Sequence, residues 1–397
     1  MDVLTTAIEI ILSLLALWLL RTYPKTVSIL FVLVAYFLRD QLNTHRRDGY
    51  EIIGKKTMKA AIFAPGIGEH GVTVDDISVP NHASHELLIQ VNAAGLNPSN
   101  FKVNMARIPF FRHTKSGKHV IGYDVEGVVL SSGTAPECES FALGARVYGF
   151  ASGGSIAEYA LVACTRAARS PTTLTSVQTA GLPVVALTSQ EAWDRTNLKK
   201  GDSALVIGAS GGCGTFGVTL AKALGATVTG ICSTKNVKLV YELGADAVVD
   251  YRKTLEMDKL KAGGKQFDVI YDTVTSFAPE DPDYEPDMRP LLKQGGRYVA
   301  INGSPLDWIL GIWEKILFKK YFGMKIQREH YDLFLLTPTT EKLERVATLL
   351  DAGKISPTIM DMTYHLTEDD LNKAFTRMKS RRVVGKICFE MIHVAHV

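Results

Sequence analysis

Apolar and polar positions change rhythm three times along the chain, and each change predicts a different kind of element. Residues 3–20 are almost wholly apolar, broken by Thr5, Thr6, Glu9 and Ser13; after the polar step Arg21-Thr22-Tyr23-Pro24-Lys25 a second apolar run covers 26–38. From Met58 the runs shorten. Segments 58–63, 87–92, 125–130 and 145–150 have strand length and lie between turns rich in Gly, Pro and Asn, which predicts a mainly β domain. After about Gly181, short apolar runs at 204–208, 227–232, 247–250, 269–271 and 298–301 alternate with helical stretches such as 218–224 and 238–243. That alternation predicts a parallel sheet covered on both faces. The chain closes with a helix at 341–352, a strand near 360–364, a helix at 368–379 and a strand at 386–390, without internal repeats or low-complexity tracts.

The first apolar run has about the length needed to cross a bilayer, and the second is shorter. A cleaved signal peptide fits poorly because Asp2 stands where basic residues are expected; a mitochondrial transit peptide fits worse because the first Arg is Arg21. The expectation is a retained anchor in residues 1–50, either one span with an interfacial segment or a hairpin turning at Pro24. The other reading is a buried helix of the globular part. Arg39, Arg46, Arg47, Lys55, Lys56 and Lys59 follow the apolar region, so the globular part is expected to face the cytosol at the endoplasmic reticulum or an organelle outer membrane. The sequon Asn302-Gly303-Ser304 at a predicted strand end agrees, since a glycan there would be hard to place.

Composition narrows the options further. A chain of 397 residues with 46% hydrophobic residues has room for two or three domains, and 44 Lys and Arg against 41 Asp and Glu leave a net charge of +3, too balanced for a nucleic-acid footprint. Mean hydropathy is +0.08, an excess traced to the N-terminus. Five cysteines, Cys138, Cys164, Cys213, Cys232 and Cys388, show no zinc-lobe spacing and an odd count, so reduced and mostly buried thiols are expected.

The most informative local feature is Gly208-Ala209-Ser210-Gly211-Gly212-Cys213-Gly214, between a strand at 203–207 and a helix running through Ala223. Glycines let the backbone approach a pyrophosphate, and a helix N-terminus offers free N–H groups and a positive dipole end. NAD sites usually carry an acid about 20 residues on. Here the second strand ends Gly230-Ile231-Cys232-Ser233-Thr234-Lys235-Asn236 with no acid, and Ser233, Thr234 and Lys235 suit a 2′-phosphate, which favours NADPH. Otherwise Lys235 simply starts an exposed helix.

These residues, with several further motifs, resemble the medium-chain dehydrogenase/reductase superfamily, in its zinc-free quinone oxidoreductase and enone reductase branch. The likeness covers roughly 58–391. Gly95-Leu96-Asn97-Pro98-Ser99-Asn100 is similar to the branch's Gly-Leu-Asn-Pro-x-Asp turn, with Asn100 in place of the acid. Gly122-Tyr123-Asp124-Val125-Glu126-Gly127 resembles its Gly-x-Asp-x-x-Gly strand, Gly181-Leu182-Pro183 with Ala186-Leu187-Thr188 the helix before the cofactor domain, and Leu243-Gly244-Ala245-Asp246 with Asp250-Tyr251 the segment closing the adenosine pocket. Zinc-dependent members carry Cys at the place of Asn97 and Gly-His-Glu at Gly122-Tyr123-Asp124, and the Cys-rich structural zinc lobe has no counterpart here, so no metal is expected.

The resemblance implies an α/β fold with a doubly wound Rossmann sheet inserted in a mainly β, GroES-like domain: 58–180 and 338–394 for the catalytic domain, 181–337 for the NADPH-binding domain. It implies zinc-free hydride transfer from NADPH to a quinone or an α,β-unsaturated carbonyl. Asn97, Lys102 and Tyr123 are the catalytic candidates; their plain alternatives are turn shaping, surface exposure and core packing. Thr188, Gly208, Ser210, Gly211, Gly212, Cys213, Gly214, Ser233, Lys235, Tyr251, Asn302 and Gly303 are the cofactor candidates. Expected partners are a small lipophilic substrate, a second copy in a homodimer, and membrane lipid through the N-terminus and the Trp308 and Trp313 region at 306–322, which reads equally as a buried dimer or domain interface. No feature proves turnover, so a nucleotide-binding scaffold or sensor at a membrane is the other functional class.

Overall fold

The structure is a computed structural model describing residues 46–47, 54–64, 70–102, 119–275, 282–301, 331–333, 336–357 and 359–392. The two apolar N-terminal runs, the Trp308 and Trp313 segment, Asn302 and Gly303 lie outside the described residues. Among the described residues no helix is long and apolar enough to cross a membrane.

In chain order the first half contains β1 (Arg46–Arg47), β2 (Thr57–Phe63), β3 (Val72–Ser78), β4 (His82–Ala83), β5 (Glu86–Leu96), α1 (Ser99–Lys102), β6 (His119–Val120), β7 (Asp124–Ser132), β8 (Arg146–Ala151) and β9 (Tyr159–Arg169). Then follow α2 (Ser176–Ala180), α3 (Pro183–Thr196), β10 (Ser203–Ile207), α4 (Gly212–Ala223), β11 (Thr227–Cys232), α5 (Val237–Glu242), β12 (Ala247–Asp250), α6 (Thr254–Ala262), β13 (Phe267–Asp272), α7 (Glu285–Met288), β14 (Leu292–Ala300) and β15 (Tyr331–Leu333). The closing elements are α8 (Thr340–Asp351), β16 (Met360–His365), α9 (Glu368–Lys379) and β17 (Lys386–Glu390).

The β part is a six-stranded sheet, β16-β17-β5-β7-β8-β9, that curls until β9 pairs back onto β5, beside a three-stranded sheet β3-β2-β6. Strand β5 sits at its centre because side chains alternate faces. Leu87, Ile89 and Val91 enter one hydrophobic cluster while Leu88 enters another, so both faces are covered.

The second sheet runs β12-β11-β10-β13-β14-β15, with every neighbouring pair parallel. Its order reverses between β10 and β13, and open α/β sheets bind ligands at the carboxyl ends of strands at such a point. Ala204 and Val206 pack into the cluster on one side, and Leu205 and Ile207 into the cluster on the other. Burying each larger aliphatic side chain stabilises the fold by roughly 1.5–3 kcal/mol. Helix α3 leads into this sheet. Pro183 opens it at the first helical position and Asn197 closes it in the left-handed region at φ 52°.

Two sequence expectations need correction. Cys138 and Cys164 are joined in a disulfide, leaving Cys213, Cys232 and Cys388 as free thiols. An odd count does not prevent a pair: the Pro136–Cys138 turn and β9 bring two buried cysteines together in one core cluster. The expectation that all five are reduced therefore falls. In addition, β3 and β9 were not anticipated. The pattern Val-Thr-Val-Asp-Asp-Ile-Ser of β3 carries two adjacent acids that break its apolar run, and the apolar run that opens β9 is interrupted towards its end by Thr-Arg-Ala-Ala-Arg.

Candidate functional site

The turn after β10 is shaped by close packing. Gly208 has φ +77°, and a Cβ there would meet Val274 Cγ2 at 2.5 Å and Thr273 Oγ1 at 2.6 Å. A Cβ on Gly214 would lie 2.1 Å from the Gly208 carbonyl, and one on Gly212 would lie 2.9 Å from Val185 Cγ1 and 3.1 Å from the Gly385 carbonyl. Gly211 differs: the nearest atom to its Cβ position is Gly208 O at 3.5 Å, so this glycine faces open space in front of the α4 N-terminus. The first-turn amides of α4 have no acceptor within the helix. Open backbone in front of such amides suits a pyrophosphate.

The ends of β11 and β12 lie beside this turn. Asn236 Nδ2 donates to Ser210 Oγ at 2.8 Å, tying the glycine turn to the 3-10 turn Thr234–Asn236. Tyr251 N donates to Cys232 O at 3.1 Å, which holds the backbone of the half-exposed Tyr251 against the end of β11. Sequence reading found no acid on β11. The fold nevertheless brings one near, because parallel pairing of β11 with β12 sets the buried Asp250 at the end of β12 opposite Cys232, just before Thr234. Burial pushes its carboxyl up, but Thr234, the Arg252 amide and the charges of Lys253 and Arg252 outweigh that and leave it below its ordinary value.

Thr188 on α3 and Tyr271 both act on the Cys213 thiol at the start of α4. Burial raises that thiol to about 11, against the opposing charge of Lys386, so Cys213 stays protonated at neutral pH. Ser189 Oγ donates to Cys213 O at 2.9 Å, which fixes α3 against the start of α4.

A buried polar cluster lies beside the start of α3. Asn97, Asn100, Asp124 and Lys386 are all buried. Lys386 Nζ lies 2.7 Å from Asp124 Oδ2 and also donates to Asn97 Oδ1; Asn97 Nδ2 donates to Asp124 Oδ2 at 3.0 Å. Asp124 Oδ1 accepts from Val184 N at 2.9 Å, at the positive end of α3. Asn100 Oδ1 accepts from Asn97 N at 2.7 Å. Burial drives the Tyr123 phenol above its usual value, Asn100 pulls it down, the charge of Asp124 adds to the rise and Ser99 opposes it. It is therefore a neutral O–H donor at physiological pH.

The fold thus gathers Asn97 and Tyr123 in one cluster and Thr188 with Cys213 beside it, linked through the charge of Lys386 at the Cys213 thiol. Lys102 ends α1, three residues after Ser99, and its side chain lies outside the described residues. Sequence reading missed Lys386, Asp124 and Asn100 as site residues. The signal for Lys386 was a charged residue opening an otherwise buried strand, Lys-Ile-Cys-Phe-Glu, which needs a partner to be tolerated. The donor set does not suit zinc. Its oxygens already serve an ammonium, and neither thiolate nor imidazole stands at these positions.

A glycine turn at the switch point of a parallel sheet, opposite a polar cluster on a second β sheet, defines a nicotinamide-dependent oxidoreductase. Residues 83–172 match the alcohol dehydrogenase GroES-like domain and residues 243–388 match zinc-binding dehydrogenase. The mitochondrial NAD(P)H oxidoreductase RTN4IP1 of Mus musculus is 31% identical over 343 residues, which is 78% of this chain and 83% of that one. The chloroplastic quinone-oxidoreductase homolog of Spinacia oleracea is 28% identical over 324 residues, 79% of this chain and 92% of its own. The trans-enoyl reductase pgmF of Aspergillus terreus is 30% identical over 352 residues, covering 83% and 95%. The chain belongs to the medium-chain dehydrogenase/reductase superfamily, in the quinone oxidoreductase and enone reductase branch. It is an NAD(P)H-type oxidoreductase.

Proposed function

We propose that this protein reduces quinones or α,β-unsaturated carbonyls with NADPH, without zinc, in a two-domain enzyme divided at 58–180 with 338–394 and at 181–337. The observation that carries the reading is the Asn97 and Tyr123 pair of neutral donors at the two positions where zinc-dependent relatives hold metal ligands. The names of the spinach and Aspergillus relatives, a quinone oxidoreductase and an enoyl reductase, support the acceptor class.

NADPH, when bound, supplies a hydride to an electron-poor carbon. Gly208 to Gly214 would hold its pyrophosphate, Thr188 its nicotinamide end, and Ser233, Lys235 and Tyr251 its 2′-phosphate; the positive Lys235 with no acid on β11 favours the phosphorylated cofactor. The Tyr123 phenol and the Asn97 amide would donate to the acceptor oxygen as negative charge develops there. A preorganised donor of this kind is worth up to roughly 3–4 kcal/mol of barrier. Cys213, kept as a thiol, takes no nucleophilic part.

The proposal extends to residues 1–50 as a membrane anchor, to 306–322 as a second lipid contact, and to a homodimer on an organelle or endoplasmic reticulum membrane with a small lipophilic substrate. Relatives named mitochondrial and chloroplastic support an organellar setting. Steady-state NADPH oxidation with a panel of quinones and alkenals is the test. Turnover on members of either class supports the reading; tight NADPH binding with no turnover on any acceptor would instead favour a nucleotide-binding scaffold.

A further inference from the structure

We propose that Lys386 is a positioning residue that fixes the Asn97 amide and ties it to the dinucleotide turn; this rests on the reductase reading above. The argument begins with donor and acceptor capacity. A Lys ammonium only donates and an ionised Asp only accepts, so with Lys386 on one end of the Asn97 amide and Asp124 on the other, only one orientation of that amide satisfies both. Lys386 takes Oδ1, and Nδ2 spends one N–H on Asp124. The second N–H of Nδ2 is then directed by the network rather than free to exchange places with the oxygen. An ammonium on Oδ1 also withdraws electron density from the amide, which strengthens that remaining donor toward an acceptor oxygen.

The backbone of the same segment reaches the cofactor turn. Gly385 N donates to Ser210 O at 2.9 Å, and Gly385 forms a parallel bridge with Gly211. Gly385 holds φ +73°, and a Cβ there would strike the Ile359 carbonyl at 2.0 Å, so this approach requires glycine. Lys386 N in turn donates to Ile359 O at 2.8 Å. Two adjacent residues therefore dock by backbone on the glycine turn and by side chain on Asn97, holding hydride source and acceptor site in one register. The simpler role for Lys386, neutralising Asp124, explains the ion pair but not the bond to Asn97.

The two roles separate experimentally. Lys386→Met should lower kcat by roughly tenfold to hundredfold, with the KM for NADPH changed by less than about threefold, and Lys386→Arg should recover part of the loss. The double variant Asp124→Asn with Lys386→Met removes both charges; it should regain thermal stability relative to Lys386→Met but not turnover. Recovery of turnover in the double variant would show charge neutralisation alone and overturn the proposal. An independent arm uses [15N]asparagine-labelled protein, with the Asn97 side-chain amide assigned by its absence in Asn97→Asp. That pair of resonances should move and broaden in Lys386→Met, and an unchanged pair would overturn the proposal even if turnover fell. If the wild type turns over no acceptor, the reductase reading fails while the amide resonances still decide whether Lys386 orients Asn97.

Discussion

The open face of Gly211 gives the sharpest test of the cofactor site. Gly211→Ala places one methyl where, among the described residues beyond its chain neighbours, only Gly208 O lies within 4 Å, at 3.5 Å, an ordinary van der Waals separation. The backbone at φ −82° and ψ 174° accepts any L-residue. Two small effects act on folding: alanine restricts the unfolded chain and gains about 0.4–1 kcal/mol, while as the helix N-cap it is poorer than glycine by several tenths of a kcal/mol or more. They nearly cancel, so Tm should stay within about 2 °C of wild type. The methyl nevertheless enters the space before the α4 amides. Loss of close approach to a pyrophosphate should raise the Kd for NADPH at least tenfold, about 1.4 kcal/mol. Gly214→Ala is the control, since its methyl would sit 2.1 Å from the Gly208 carbonyl and must displace backbone, lowering Tm as well as binding. Fluorescence titration with NADPH and thermal melts of both variants check this. Unchanged NADPH affinity in Gly211→Ala, or a large drop in its Tm, would refute the reasoning.

Lys235→Ala should weaken NADPH roughly tenfold and NADH much less, because a single charge-assisted contact to a phosphate is removed; equal losses for both cofactors in parallel titrations would remove the 2′-phosphate role. Thiol titration of denatured, unreduced protein should give three thiols, rising to five after reduction, and breaking the Cys138–Cys164 link across 26 residues should cost about 3.5 kcal/mol of stability in the chain-entropy view. Glu191 joins α3 to α8 through Lys342, with Arg195 beside it: burial pushes its carboxyl up, but these two cations outweigh burial and leave it below its ordinary value. Its contribution is thus complete above the unfolded value of about 4.3 and fades as pH falls through the lower folded value. Glu191→Gln should accordingly lower Tm at pH 7 and differ little from wild type near pH ~2.5; an equal deficit at both pH values would contradict the linkage.

Much of this architecture was visible in the sequence because parallel strands buried on both faces leave dense apolar runs. β11, β12, α9 and β17 fall where the pattern put them. Likewise the glycine turn is local, so its chemistry could be read from seven consecutive residues. The Lys386, Asp124 and Asn97 cluster was harder to see. Its members are separated by 289 and 262 residues along the chain, and they meet only because β17 pairs antiparallel with β5, setting Ile387 opposite Leu96. Asp250 was placed in the segment closing the adenosine pocket but not taken as an acid near the second strand, for a related reason. The expected acid was sought on β11, whereas parallel pairing of β11 with β12 sets Asp250 opposite Cys232. The Cys138–Cys164 pair depended on the curl of one sheet, which no spacing rule reveals.

The central claim is metal-free hydride transfer from NADPH at the Asn97 and Tyr123 site. Its most direct measurement is deuterium transfer from NADPH carrying deuterium at both positions of nicotinamide C4 to an alkenal, read by mass spectrometry in the presence of a strong chelator. A saturated product carrying one deuterium at its β-carbon, formed at an undiminished rate with chelator and far more slowly by Tyr123→Phe with Asn97→Ala, is the predicted result. Product without deuterium, or reduction abolished by the chelator, would contradict it.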